Sequence, residues 1–367
     1  MSTQPMTLEA WRTPELRELL GAAACDIRIS RGRRHLASVD AALAVLRPGA
    51  GGRQVSYVAR RARRLGGRVL VTQIENYDFF GFLATSPVSP RVVAVQNGVR
   101  LAHELATLRA SLRGAPQRAQ GLLHDVFVCW GRSDVDLMRG AGLTARVALP
   151  VGSLRDSLHR ADTSRHLPES PLAVVLVKPK AFATSGDPYR TNQAASRRTV
   201  LDFVARYAVG AAIVPSMVFV PGSAERLATQ ARLLAAHYRG PWRTTTSTDR
   251  LSSYDAVMGA HTVLGDQSSL LVEALGRGKR ILSVNMTEDP SLDFPMDGPW
   301  LLRRPTYEQF AERMDWIRGM SDAQWAGVIG DAPRRLVNYD PAYPTHVFVK
   351  DLVMAIAEDR PWPEVTW

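Results

Sequence analysis

The chain has 367 residues, room for about two domains with hydrophobic cores that need no disulfide staples. Hydrophobic residues make up 46% and charged residues 22%, which excludes disordered, collagen-like and fibrous classes. Forty-six basic residues against 35 acidic ones leave a net charge of +11, so anionic partners are favoured: nucleotide phosphates, an acidic membrane face or nucleic acid.

The two cysteines, Cys25 and Cys129, form no CxxC metal pair, and such sparing use suits a reducing, cytoplasmic compartment. Residues 1–20 carry Glu9, Glu15 and Glu18 and lack the apolar segment of a signal peptide. Residues 207–224 are uncharged over 18 positions, but Gly210, Pro215, Pro221 and Gly222 interrupt them, so no spanning helix is expected there.

In chain order, a polar helix is predicted over residues 8–20. Short β-branched runs then read as strands at 68–72, 91–95, 125–129 and 146–149, with helices at 54–65, 101–113 and 134–139 between them. Residues 155–170, rich in Ser, Asp, His and Arg, read as a linker. The pattern restarts with a strand at 172–177, a helix at 196–207, a strand that starts at 211–214 within 211–220, and a helix at 223–238. A strand at 261–264, a helix at 268–275 and a strand at 280–284 make a βαβ unit, and residues 345–358 form a last helix. Alternating buried runs and helices imply parallel sheets covered on both faces. The expected fold class is therefore α/β, with two doubly wound Rossmann-like domains at 1–154 and 171–340 and a helical tail at 341–367.

Ligands of open parallel sheets bind beyond the carboxyl ends of strands. Four segments meet that rule. Gly265-Asp-Gln-Ser-Ser-Leu270 leaves a strand and enters a helix, so the N–H groups and hydroxyls of Ser268 and Ser269 suit a phosphate, with Glu273 one turn on for ribose hydroxyls; capping of the helix by Asp266 or Ser268 is the alternative role. Val95-Gln-Asn-Gly-Val-Arg100 offers Gln96, Asn97, Gly98 and Arg100 around an Asn-Gly turn. Gln73-Ile-Glu-Asn-Tyr-Asp78 places Glu75 and Asn76 after a strand and before Phe79, Phe80 and Phe82, apolar rings that would raise a carboxyl pKa. Gly152, Ser153 and Lys178 flank the linker at strand ends. By contrast, Gly276-Arg-Gly278-Lys279 closes a helix, so its glycines read as a C-cap and the phosphate-loop pattern fails. The eight histidines show no metal-ligand spacing and there is no GxSxG elbow, so neither a metal site nor a serine hydrolase is expected. Arg60-Arg-Ala-Arg-Arg64 reads as a solvated helix face, and nucleic acid is disfavoured as a partner.

In order, Ile74-Glu-Asn-Tyr-Asp-Phe-Phe80, Val95-Gln-Asn-Gly-Val-Arg100, residues 127–131, Val151-Gly-Ser-Leu-Arg155, Ser253-Tyr-Asp255 and the stretch from Asp266 to Lys279 resemble the bacterial surface-carbohydrate biosynthesis proteins. That group is similar to GT-B glycosyltransferases and to capsule Kdo transferases, and the resemblance spans roughly residues 65–290. It implies two Rossmann-like domains facing a cleft, donor nucleotide on the C-terminal domain and acceptor on the N-terminal one. By this resemblance Ser268, Ser269, Asp266 and Glu273 hold the donor, with Gly152, Ser153 and Lys178 nearby. Glu75 and Asn97 become the catalytic pair, and Asn76, Gln96, Gly98 and Arg100 face the sugar. Glu75 stands where the family usually has Asp, and Ser269 where it has Thr. The expected activity is transfer of a sugar from a nucleotide donor, CMP-linked for instance, to a cell-surface glycan or glycolipid, on the inner face of the membrane, with no metal or other cofactor. A polyol-phosphate transferase using a CDP-linked donor and a noncatalytic nucleotide-sugar or nucleic-acid binder are the alternatives.

Overall fold

The computed structural model describes residues 6–8, 14–20, 25–27, 52–64, 67–73, 78–85, 89–111, 121–177 and 188–365. Contacts divide the chain into two compact units: Met1–Leu158 with Val337–Trp367, and His159–Leu336.

The first unit opens with β1 (Met6–Leu8), α1 (Pro14–Leu20), β2 (Cys25–Ile27) and α2 (Gly52–Arg64). It continues with β3 (Val69–Thr72), α3 (Asp78–Ala84), β4 (Arg91–Val95), α4 (Ala102–Ser111) and β5 (Leu122–Cys129). Helix α5 (Arg132–Gly140), β6 (Thr144–Pro150) and α6 (Leu154–Ala161) follow, α6 running across the boundary into the second unit. The sheet order is β2-β1-β3-β4-β5-β6, with every pair parallel. Successive side chains of a strand face opposite sides, and both sides here are covered. Val69, Val71, Val93, Val95, Val126 and Val128 point into one core, while Leu70, Val92, Ala94, Phe127 and Cys129 point into cores on the opposite face. Double burial is why these strands read as unbroken apolar runs. It also raises the pKa of the Cys129 thiol, keeping it protonated and inert.

The second unit holds β7 (Ser170–Val177), α7 (Pro188–Gly210), β8 (Ser216–Phe219), α8 (Ala224–His237), α9 (Ser252–Met258) and β9 (Ala260–Gly265). Then come α10 (Ser269–Gly276), β10 (Arg280–Asn285), a 3-10 turn at Pro290–Leu292 and β11 (Leu301–Arg303). Helices α11 (Tyr307–Gly319), α12 (Asp322–Ile329) and α13 (Ala332–Leu336) complete it. Its sheet, β11-β10-β9-β7-β8, is also parallel in every pair. The fold is thus two Rossmann-like α/β units, as the sequence implies.

Three expectations are corrected. The segment 155–170 is not an open linker: α6 occupies its start, with Asp156 and Ser157 fully buried. Its polar composition reflects internal bonding, for Ser157 Oγ lies 2.8 Å from His346 Nδ1. The predicted N-terminal helix starts only at Pro14, after β1. Residues 211–214 are the stop of α7 rather than a strand start: Ala212 has φ +52° and Ile213 N donates to Ala208 O.

The tail helix α14 (Thr345–Glu358) matches its predicted span and returns to the first unit. Phe348, Val349, Leu352, Val353 and Ile356 join the core built on Val69 and Val93. The chain is anchored there by Asn338 Nδ2, which donates to Pro150 O at 2.7 Å, and by Thr345 Oγ1, which donates to Val151 O. Gly152 is required beside this joint: its φ is +100°, and a Cβ there would lie 2.8 Å from Thr345 Oγ1. Gly152→Ala should therefore cost at least about 1 kcal/mol from backbone strain alone. A urea unfolding midpoint equal to that of the unsubstituted protein would refute this account.

Candidate functional site

In the second sheet the chain leaves β7 towards β8 on one side, then crosses to β9 on the other. Such a reversal opens a crevice beyond the carboxyl ends of the two central strands, the usual place for a ligand in this architecture. The loop after β9, Gly265 to Ser268, lies there and leads directly into α10. Ser268 is the N-cap residue, with extended backbone (φ −75°, ψ 135°), yet its hydroxyl makes no capping bond. The first intrahelical bonds run from Leu271 and Val272 N–H to Ser268 O, at 2.9 and 3.2 Å. The N–H groups ahead of them form the positive end of a helix. Ser268 is buried and Ser269 half-buried.

Asp266 sits just before this turn and is 8% exposed. Arg197, from the middle of α7 and 5% exposed, holds one of its oxygens from two nitrogens, Nε at 2.7 Å and a terminal nitrogen at 2.5 Å. Asp266 Oδ1 is buried with no hydrogen-bond partner, and Ser283 Oγ donates to the Asp266 carbonyl at 3.2 Å. The pair delivers a fixed, charge-compensated carboxylate with one acceptor oxygen left over, beside two hydroxyls and a helix N-terminus.

Glu273 lies one turn into α10, 2% exposed, and both of its oxygens accept from the Tyr254 hydroxyl at 2.8 Å. Tyr254 stacks on His159 at a centroid distance of 5.4 Å. Because Arg277 donates to His159 Nδ1 at 2.9 Å, the ring proton lies on Nε2, which donates to Asp255 Oδ1 at 3.0 Å. Arg165 closes the array with two bonds to Asp255, of 2.7 and 2.5 Å, and one to Asp249 of 2.7 Å. The Leu251 N–H and then Arg165 hold the Asp249 carboxyl below the ordinary aspartate range. Glu273 is thus orientated by a preformed network that is buried at Tyr254 and His159 and reaches the surface at Asp249, with lone pairs remaining after the tyrosine bonds.

In the first unit, Gln96 is 2% exposed and its amide is engaged within the protein. Its Nε2 donates to Gly98 O at 3.0 Å and to Asp134 Oδ1 at 2.9 Å, while Oε1 accepts from Trp130 N at 3.0 Å. The side chain expected to face a sugar instead ties the loop after β4 to the start of α5. Asn97 is exposed, and Arg155, bonded to buried Glu15 at 3.0 Å, reaches its Oδ1 at 3.2 Å. Arg100 is buried, 3.7 Å from Glu104. Ser153 caps α6, its hydroxyl accepting from Asp156 N at 3.3 Å, and Gly152 serves the joint with Thr345. Phe79 and Phe80 are buried core on α3, where their rings meet edge to face at 5.2 Å. Glu75, Asn76 and Lys178 lie outside the described residues. Among the described residues no group of three His, Cys, Asp or Glu gathers as a metal site, and no helix is long and apolar enough to cross a membrane.

Sequence reasoning missed Arg197, because a partner 69 residues from Asp266 on a different helix leaves no local signal. It also missed Arg155 as the partner of Asn97, although both lie in quoted motifs.

No protein-family model and no curated protein matches the sequence. Solved structures do match in fold. S. aureus MnaA, in a co-structure with UDP, superposes with a TM-score of 0.58 at 12% identity, over 99% of this chain and 100% of that one. The wall teichoic acid polymerase TagF gives 0.54 at 9% identity, over 98% and 90%. UDP-GlcNAc 2-epimerase from Neisseria meningitidis, bound to UDP-GlcNAc, gives 0.51 at 12% identity, over 90% and 97%. The shared feature is the GT-B-type pair of Rossmann-like domains.

Removing one partner of a buried ion pair strands the other charge. Arg197→Met should destabilise the protein by about 3–5 kcal/mol, and adding Asp266→Asn should recover most of that loss. Equal stability of the single and double variants in denaturant unfolding would count against the pairing.

Proposed function

We propose that the protein is a GT-B glycosyltransferase that moves a sugar from a nucleotide donor to a cell-surface polysaccharide or glycolipid. The observation that carries this reading is the turn from Asp266 to Ser269, which brings two hydroxyls and a helix N-terminus to the reversal point of a parallel sheet. There the donor phosphate lies against Ser268 and Ser269, Asp266 Oδ1 accepts a donor hydroxyl, and Glu273 takes ribose hydroxyls. The similarity to structures that hold UDP or UDP-GlcNAc supports the donor class. Glu75, three residues after the end of β3 in the sequence, is the proposed base or nucleophile. It follows the strand at the corresponding reversal point of the first sheet, between β1 and β3. Asn97, held by Arg155, assists at the reacting sugar, and Asn76, Gly98 and Arg100 line the acceptor side. Donor binding on helix dipole and hydroxyls requires no metal. The net charge of +11 suits residence on the anionic inner face of a membrane.

A second reading, epimerisation of a nucleotide sugar, is favoured by the near full-length likeness to UDP-GlcNAc 2-epimerase. A transferase frees the nucleotide only when the acceptor is present, whereas an epimerase returns an isomeric nucleotide sugar without one. A thermal-shift screen of CMP-, UDP-, GDP- and CDP-linked donors selects the donor, with a CDP-polyol hit marking the polyol-phosphate variant.

Replacing Ser268 and Ser269 together by alanine should weaken nucleotide affinity by about 1–3 kcal/mol. Calorimetry showing unchanged affinity in a folded variant would remove the donor site from this turn. Glu75→Gln keeps shape while removing charge, so donor affinity and melting temperature should hold while turnover falls at least about 100-fold. Retained turnover would exclude Glu75 as the catalyst.

A further inference from the structure

The second sheet has an opposite rim, where its strands begin. There Glu169, Ser170, Gly259, His261, Lys279 and Arg318 line a cavity of about 710 Å³. The cations come from separate elements: His261 from the start of β9, Lys279 and Arg280 from the turn into β10, and Arg318 from the end of α11. Lys279 belongs to the Gly-Arg-Gly-Lys segment that fails as a phosphate loop for the carboxyl-end site.

Their fixed bonds hold these groups in place while leaving donors over. Lys279 Nζ donates to Met258 O at 3.0 Å, one of the three protons of an ammonium. Arg318 donates to the Tyr207 hydroxyl at 2.9 Å, and that hydroxyl donates to Asp315 at 2.6 Å. Arg280 reaches Met320 O at 2.8 Å and Asp322 at 2.7 Å. The Nε of Arg280 and that of Arg318 are both buried without a hydrogen-bond partner. Gly259 lets the chain ahead of β7 pack close against the start of β9, since a Cβ there would collide with Pro168 O. The opposing carboxylates are Glu169 in the lining and Asp322, which is 96% exposed. The crowding is felt within the cluster: burial first, then Arg280, Arg318 and Lys279, hold the His261 imidazole below its ordinary pKa. Burial, then Arg280, likewise lowers Lys279.

We propose that this rim is a second binding site, for the phosphate of a ligand separate from the donor, held by Lys279, Arg318 and protonated His261. Phosphate satisfies the spare donors and relieves the repulsion among Lys279, Arg318 and His261 that Glu169 and the exposed Asp322 leave uncompensated. Binding therefore draws a proton onto His261, and affinity strengthens as pH falls through the imidazole titration. The phosphate can come from a soluble phosphorylated molecule or from a lipid headgroup, since both present the same oxygens.

The test uses inorganic pyrophosphate with the full chain carrying Ser268→Ala and Ser269→Ala, so that the carboxyl-end turn does not contribute. Proton NMR should show the His261 titration moving up when pyrophosphate is added. Calorimetry should give an affinity about tenfold weaker for Lys279→Gln. His261→Gln, at an exposed position, should remove the part of the pH dependence that exceeds pyrophosphate's own ionisation. It also keeps the test available if Lys279→Gln fails to fold. A His261 titration that ignores saturating pyrophosphate, or binding unaffected by both variants, would overturn the site. Vesicles containing phosphatidic acid decide the source. Once calorimetry has shown pyrophosphate at the rim, co-sedimentation that both pyrophosphate and Lys279→Gln abolish places the phosphate on a lipid, and co-sedimentation that is absent or indifferent to both leaves a soluble ligand.

Discussion

Parallel pairing is the constraint from which the remainder follows. A parallel strand cannot be reached by a tight turn, so the chain must cross over between strands, and helices come to cover both sheet faces. The crossovers bring all strand ends of one polarity to one rim. In the second unit that places the loop after β9 at the reversal between β7 and β9, and gathers Ser170, Ala260 and Arg280 on the opposite rim. Both rims therefore carry chemistry set by strand direction, with hydroxyls and helix N-terminus at one and crowded cations at the other.

Buried charge defines the candidate site more narrowly. Asp266 and Glu273 are both nearly inaccessible, and each is tethered from an element distant in sequence: Arg197 on α7 and Tyr254 on α9. An isolated carboxylate at such depth would take up a proton or destabilise the fold. Arg197 satisfies one Asp266 oxygen and leaves the other without a bond, an arrangement that fixes the geometry before any ligand arrives. Pre-set polar groups of this kind lower the ordering cost of binding. The same logic assigns Gln96 a different task. Its amide serves three internal partners and positions the loop that carries Asn97 and Gly98.

Much of this architecture was legible because double burial writes itself into composition. Val69–Thr72 and Arg91–Val95 are apolar at all but one position each, Arg280–Asn285 carries Ile281, Leu282 and Val284, and α14 shows its buried stripe in Phe348, Leu352 and Ile356. The strands β1, β2 and β11 have three residues each, too few for a period to emerge. Helices α11 and α12 did carry a usable signal: Thr306 with Gln309 and Ser321 with Gln324 form reciprocal capping boxes at their starts. The turn at Ser268 was readable from its strand–loop–helix context. Tethers supplied by Arg197 and Arg155 were not, because tertiary partners leave no mark on local spacing.

The first unit is assembled from two pieces of chain, with all of the second unit between them. On the ribosome, the strands bearing Val69, Val93 and Val126 emerge long before α14, whose Phe348 and Leu352 cover that face of the sheet. The second unit can complete its own core during this interval, while the older unit waits with a hydrophobic surface uncovered. The core of the first unit therefore cannot close until residues 345–358 have been made, however early its strands emerge, and an uncovered apolar sheet face is an aggregation hazard for as long as it lasts.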